Sequence, residues 1–253
     1  MAAATSGDRV WFRWYPEKVP KHLAIPEVLL TELIEESVRK WPDRTALIYY
    51  GSKWSYRKLW DQSERLAAAL AREGVGPGDR VALYLPNIPA YPIAFFAVLR
   101  LGAIVVQVSP LYLGQDLVRL LKDSTPKALV TLEILYPNLA KVKGEVNVPA
   151  VFVARVRDFY PWYVRPFVNT VLRRQKLPTE FPRDPAVRPW RTAMGTPGSV
   201  PLRKADPRTT RRSSSTRAGR PGGRRQPSSP TATSWRTSCR GTPGTSGWNP
   251  GTR

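Results

Sequence analysis

The sequence predicts an α/β fold, a mainly parallel sheet flanked by helices, on three observations. Short apolar runs alternate with stretches of helical periodicity between Thr45 and Val153. The runs Val81 to Leu85, Ile104 to Val108, Ala128 to Leu132 and Ala150 to Val153 are almost continuously apolar, as strands covered on both faces are. Gly or Pro stands at most of the junctions between them, and strands that alternate with helices argue for crossover connections.

Each element follows from local pattern. Leu30, Leu33, Ile34, Val38 and Trp41 recur at helical spacing, with Thr31 as the cap and Pro42-Asp43 as the stop, which predicts a helix over 30–41. Thr45 to Tyr50 is β-rich, Gly51-Ser52 suits a tight hairpin turn, and Lys53 to Tyr56 returns. Leu59, Ser63, Leu66 and Leu70 mark a second helix ending at Gly74, and Pro77-Gly78-Asp79 turns the chain into the strand Val81 to Leu85. Pro89 and Pro92 sit where the first turn of a helix tolerates proline; Ala94 to Leu101 continues it, and Gly102 caps it before the strand Ile104 to Val108. Asp116 to Lys122 then reads as a helix, Ala128 to Leu132 as a strand, Ile134 to Val142 as a helix and Ala150 to Val153 as a strand. From Arg155 to Lys176 the rings of Phe159, Tyr160, Trp162, Tyr163 and Phe167 interleave with Arg155, Arg157, Arg165, Arg173 and Arg174. That stretch suits either a loop and helix packed on the same domain or a segment lying on a membrane surface, rings inserted and arginines at the headgroups.

The 253 residues, 42% of them hydrophobic, suffice for one large core or two small ones. One cysteine, Cys239, and one histidine, His22, exclude a disulfide framework and any multi-histidine metal site. The opening Met1 to Asp8 lacks the basic lead and apolar block of a secretory signal. The longest apolar run, Ile93 to Val106, is broken by Arg100 and Gly102 and is shorter than the roughly 20 residues a membrane span needs. A cytoplasmic chain, or one peripheral at the inner face of the membrane, is expected.

The net charge of +21 suggests a nucleic-acid or membrane-surface protein until its distribution is considered. Pro201 to Arg253 holds twelve basic residues against the single acid Asp206, and Leu202 is its only Leu, Ile, Val or Phe. Such a segment buries too little apolar surface to offset chain entropy. The expected organisation is a disordered N-terminus over 1–10, a folded subdomain over 11–192 and a disordered basic tail over 193–253.

Leu85-Pro-Asn-Ile-Pro-Ala90, Phe95-Phe-Ala-Val-Leu-Arg-Leu-Gly-Ala103 and Val108-Ser-Pro-Leu-Tyr112 resemble the N-terminal subdomain of the AMP-forming acyl-CoA synthetases, in the adenylate-forming superfamily. Trp41-Pro-Asp43, Ala46-Leu-Ile48, Trp54-Ser-Tyr56 and Gly74-Val-Gly-Pro-Gly-Asp-Arg-Val81 occur in the same order as in that family. The chain is most similar to the bacterial long-chain fatty acid ligases, over about residues 11 to 190. The resemblance implies a two-step ligase: a fatty acid carboxylate attacks the α-phosphate of ATP, and the thiol of coenzyme A (CoA) then displaces AMP. It further implies ATP, Mg2+ and CoA as cofactors of the intact family, with a Gly/Thr-rich loop donating to the phosphates.

In the family that loop reads roughly Tyr-Thr-Gly-Gly-Thr-Thr-Gly-x-Pro-Lys, soon after an Asp-Pro. Here Asp206-Pro207 is followed by an Arg/Ser/Gly-rich run to Arg225. Thr216 to Arg225 can be encoded ACA CGG GCG GGA CGA CCG GGG GGC CGA AGG. Regrouped from a preceding T, the same bases give TAC ACG GGC GGG ACG ACC GGG GGG CCG AAG, which reads Tyr-Thr-Gly-Gly-Thr-Thr-Gly-Gly-Pro-Lys. The same regrouping through Arg240 permits Ala-Ala-Val-Leu-Thr-His-Arg-Asn-Leu-Val-Ala-Asn-Val-Leu-Gln, which resembles what the family shows after its loop. A reading-frame slip near Pro207 or Arg208 is therefore expected, and it would make the basicity of the tail incidental. The alternative is a non-enzymatic binding protein whose basic tail contacts nucleic acid or anionic membrane, with Trp235 and Trp248 stacking on bases.

Other candidates are weaker. Gly74-Val-Gly-Pro-Gly78 follows a helix and precedes a strand, the reverse of a phosphate loop, and reads as a helix stop and turn. Gly219, Gly222 and Gly223 have no flanking elements to hold a phosphate loop. His22 has no partner histidine or cysteine. Asp116 with Lys122 and Glu64 with Arg65 read as ordinary helix-face charges. No catalytic, cofactor-binding or metal-binding position of the family can be placed on this chain, no productive binding of ATP, Mg2+ or CoA is expected, and no specific nucleic acid partner is expected. A missing second subdomain would leave an apolar face exposed.

Overall fold

The computed structural model describes residues 10–20, 22, 28–175, 177–178, 184–196 and 213–214. The chain divides into two units, one comprising Met1–Glu27 with Ala232–Arg253 and the other Val28–Thr231. In the first unit, Val10–Trp14 form a 3-10 turn. The Phe12 ring there meets Tyr15 edge-on at 5.5 Å and His22 at 5.1 Å.

The second unit begins with helix α1 (Leu30–Lys40) and the antiparallel hairpin β1 (Thr45–Tyr49) and β2 (Ser52–Ser55). Helix α2 (Tyr56–Arg72) follows, then β3 (Arg80–Tyr84), α3 (Ala90–Arg100), β4 (Ile104–Val108), α4 (Gly114–Ser124) and β5 (Ala128–Leu132). The succession continues with α5 (Tyr136–Val142), β6 (Ala150–Ala154), a 3-10 turn at Val156–Phe159, α6 (Arg165–Arg174), β7 (Val187–Pro189) and α7 (Trp190–Met194). Ser213–Ser214 form a two-residue strand, β8, beside β4; the other tail positions, and the 1–9 segment, lie outside the described residues. The main sheet has the order β7-β6-β5-β3-β4-β8, all neighbours parallel. This is the α/β architecture predicted from the alternating pattern.

Because strand side chains alternate between faces, each apolar strand feeds two cores. Val81, Leu83, Val105, Val130 and Phe152 join residues of α2, α3 and α7 on one face. Ala82, Tyr84, Val106, Leu129 and Val151 join α4 and α5 on the other. Trp54, Leu59 and the partly buried Leu47 and Tyr49 extend the first core under the hairpin.

Several boundaries differ by a residue or two from the sequence reading, and two of the differences have a clear local reason. The hairpin turn is Tyr50-Gly51, not Gly51-Ser52: both residues have positive φ, 44° and 82°, and Ser52 pairs with Tyr49. Positive φ at both loop positions matches the right-handed twist of the flanking strands. Thr31 does not cap α1; it is buried within the first turn, and the Glu32 carboxylate instead accepts the Leu29 N–H at 3.0 Å. Helix α3 starts at Ala90 after Pro89, with Pro92 inside the first turn as the sequence reading expects, where its missing N–H costs no helix bond.

The glycine stops behave as read. After α2 the Gly74 N–H donates to Ala71 O and the Val75 N–H to Leu70 O, with Gly74 at φ 80°. After α3 the Gly102 N–H donates to Leu99 O and the Ala103 N–H to Val98 O, with Gly102 at φ 69°. Both are Schellman ends, which satisfy the last carbonyls and reverse the chain into a strand.

Candidate functional site

In an open parallel sheet the crevice for ligands lies beyond the carboxyl ends of the strands, where successive connections diverge. Here β3 leads to β4 on one side while β5 lies on the other, so the divergence falls between β3 and β5. The segments at that edge are 85–88 after β3, 109–113 after β4, 133–135 after β5 and 155–159 after β6.

The chemistry-bearing group at this edge is Glu133, the first residue after β5 and 4% exposed. Both carboxylate oxygens accept the Val156 N–H at 3.0 Å, and the Glu133 N–H donates to Ala154 O at 3.0 Å. Burial raises the carboxyl to about 7; the Val156 amide opposes that shift, Asp158 adds to it, and Arg155 opposes it. Asp158 is itself clasped by Arg191 of α7 at 2.8 Å. On the opposite side of the edge the Tyr84 hydroxyl donates to Tyr112 O at 2.9 Å and so holds the 109–112 loop against β3. Gln107 Nε2 donates to the Tyr91 hydroxyl at 2.6 Å, linking β4 to α3. Among the described residues no group of three or more His, Cys, Asp and Glu could hold a metal ion. Glu133 went unnoticed in the sequence; the available signal was an acid placed directly after an apolar strand.

The candidates named from sequence separate clearly. The Gly74–Gly78 segment uses its polar groups internally: the Gly76 N–H donates to Asp79 Oδ2 at 2.7 Å, the Gly78 N–H to Gly102 O at 3.0 Å, and Lys127 Nζ reaches Asp79 at 3.0 Å. It is a stop and turn, as read. Asp116 lies in the first turn of α4, and Lys122 pairs with Glu145 at 3.9 Å. Glu64 and Arg65 require correction. Glu64 binds the buried Arg100 at 2.7 Å, Glu35 of α1 reaches the same guanidinium at 3.7 Å, and the Trp60 ring lies 5.0 Å from its centre. Arg65 donates to Met194 O at 3.0 Å, tying α2 to α7. Asp206, Gly219, Gly222, Gly223, Trp235, Cys239 and Trp248 lie outside the described residues.

The AMP-binding enzyme family matches residues 34–190, most of the described fold. The chain belongs to that family. A long-chain-fatty-acid–CoA ligase of Bacillus subtilis is 31% identical over 187 residues, which cover 74% of this chain and 33% of that protein. The long-chain-fatty-acid–CoA ligase of Haemophilus influenzae is 37% identical over 171 residues, covering 67% of this chain and 30% of the relative. The chain thus spans about one third of the length of the curated relatives it matches. Among solved structures, an anthranilate CoA ligase aligns with a TM-score of 0.60 at 17% identity, over 75% of this chain and 32% of that one. A long-chain-fatty-acid-CoA ligase from Archaeoglobus fulgidus aligns with a TM-score of 0.56 at 20% identity, over 76% and 34% respectively. At these identities the structures establish the fold. In this AMP-binding enzyme chain the described edge therefore corresponds to part of the N-terminal region of the relatives. No helix of the described residues is long and apolar enough to cross a membrane.

Proposed function

We propose that the chain is the N-terminal part of an ATP-dependent long-chain fatty acid–CoA ligase, one that as written cannot form the acyl-adenylate. The observation that carries the first half is the identity of 31–37% to long-chain-fatty-acid–CoA ligases over most of the folded unit. The second half rests on the residues after Asp206-Pro207, which do not spell a phosphate loop in this frame and can be encoded by bases that spell one after a one-base regrouping. Chemically, adenylate formation requires donors around the transferring phosphoryl group and a cation to neutralise its charge. ATP, Mg2+ and CoA belong to the intact ligase, and the described residues supply a scaffold for its N-terminal region. The fatty acid is the substrate of that intact protein. A cytoplasmic location belongs to the same reading.

The test is pyrophosphate release from ATP with palmitate, Mg2+ and CoA. No release above a heat-killed control is expected from this chain, and release above it would overturn the proposed incompetence. Sequencing the DNA across the codons for Ala205 to Gly241 and onward tests the frame: the adjacent frame is expected to continue as ligase sequence. If that frame closes at once, the tail is an encoded element in its own right.

A further inference from the structure

Helix α6 carries apolar residues on two faces. Leu172 is buried and Val168 half-buried, so one face packs inward. Phe167 and Val171, spaced one turn apart, point outward with exposures of 71% and 50%, and Tyr163 and Trp162 precede them at 58% and 78%. An ordinary surface helix would be polar there. The hairpin β1–β2 continues the patch: Tyr50, 70% exposed, stacks on Tyr160 with ring centroids 5.1 Å apart, and Ile48 is 66% exposed opposite Lys53. Arg173 and Arg174 are exposed on the last turn of α6, which has no acidic residue. The acid that precedes the helix in sequence, Asp158, is neutralised by Arg191.

We infer that this patch, the outer face of α6 with the tip of the β1–β2 hairpin, is a docking surface for an anionic lipid bilayer. Rings amphipathic enough to sit at the headgroup level lie beside guanidinium groups that match the charge of anionic lipid. Charge complementarity selects the occupant. The inference stands on surface geometry and charge, and so holds or fails independently of the ligase reading.

The experiment is vesicle co-sedimentation of the full chain, with phosphatidylcholine alone and with about one third phosphatidylglycerol, at low and high salt. The basic tail alone would also give charge-driven binding, so the aromatic residues decide the outcome. Trp162→Ser with Phe167→Ser is expected to weaken binding to anionic vesicles at least about tenfold, and to do so still at about 1 M salt, where surface charge is screened within about 3 Å. Arg173→Gln with Arg174→Gln is expected to weaken binding at low salt and to flatten its salt dependence. All four side chains are exposed, so circular dichroism should match the parent. Hydrogen exchange over 162–172 is expected to slow when vesicles are added. Unchanged binding of the Trp162/Phe167 variant assigns the attraction to the tail and overturns the inference. Equal binding to neutral and anionic vesicles, no binding, or unaltered exchange over 162–172 overturns it as well. RNA binding lost in the same aromatic variant, without vesicle binding, would make the patch a nucleic-acid surface instead.

Discussion

At pH 7 the Glu133 carboxyl is poised between its two forms, since burial raises it to about 7 while the Val156 amide favours the charged state. An unfolded glutamate titrates near 4.3, so between roughly pH 4.3 and 7 the folded state holds a proton that the unfolded state has released. Stability from this group is therefore complete below that window and declines as pH rises through it. Glu133→Gln retains an acceptor for Val156 and removes the charge; its melting temperature is expected to exceed the parent's at pH 8 and to converge with it near pH 4. Asp184 works in the opposite sense. Lys143 first, then the Tyr136 hydroxyl and the Ala186 amide, hold it down at about 2, so its contribution is present above pH 4 and is lost as acid approaches pH 2. Thr131 offers a simpler case: it is fully buried on β5 and its hydroxyl has no hydrogen-bond partner among the described residues. Thr131→Val is expected to stabilise by about 1 kcal/mol in urea melts, because it removes an unpaired buried hydroxyl at nearly constant volume.

Elements are joined by a few polar clasps around an apolar interior. Arg100 near the end of α3 draws together Glu64 of α2 and Glu35 of α1 while lying over Trp60. Arg100→Ala leaves the half-buried Glu64 without its counter-ion and removes the stem packed on the ring. A loss of about 3 kcal/mol is expected from denaturant unfolding. Gly102 serves the junction between α3 and β4. Its φ of 69° is unfavourable for a side chain, and an added Cβ would approach Pro77 Cβ to 3.5 Å. Gly102→Ala is expected to cost about 1 kcal/mol, read as a lowered melting temperature. The Glu73–Arg188 pair at 2.6 Å binds the end of α2 to β7 in the same manner, across 115 positions of sequence.

Among the described residues of the larger unit, helices on both faces of one parallel sheet give two buried clusters, one under α2, α3 and α7 and one under α4 and α5. Large apolar side chains nevertheless stay exposed at Leu111 and Leu113, on the loop after β4 at the carboxyl edge. This chain spans about a third of its relatives' length, so cover of these residues by the remainder of a ligase chain is a testable expectation. Co-expression with the ligase sequence of the adjacent frame is expected to raise the soluble yield of the chain, measured by centrifugation of the lysate. No gain would mean that the exposed loop is compatible with an isolated fold.

Much of this was legible in the residues themselves. Val81 to Leu85, Ile104 to Val108 and Ala128 to Leu132 declared buried strands because a strand covered on both faces has no polar side to show. Gly74 and Gly102 declared helix ends because their left-handed conformation is cheap only without a Cβ. The ordered segments around Leu85 to Ala103 carried the family. What needed the tertiary structure was everything set by distance through space. The strands of Val187–Pro189 and Ser213–Ser214 are too short to hold an apolar pattern and exist by pairing with β6 and β4. Glu64 reads as a surface charge in the sequence, since periodicity cannot see that a buried arginine of α3 approaches it. Glu133 reads as any acid after a strand until the 155–159 segment closes over it, and only that enclosure, by withdrawing water, raises its carboxyl toward neutrality.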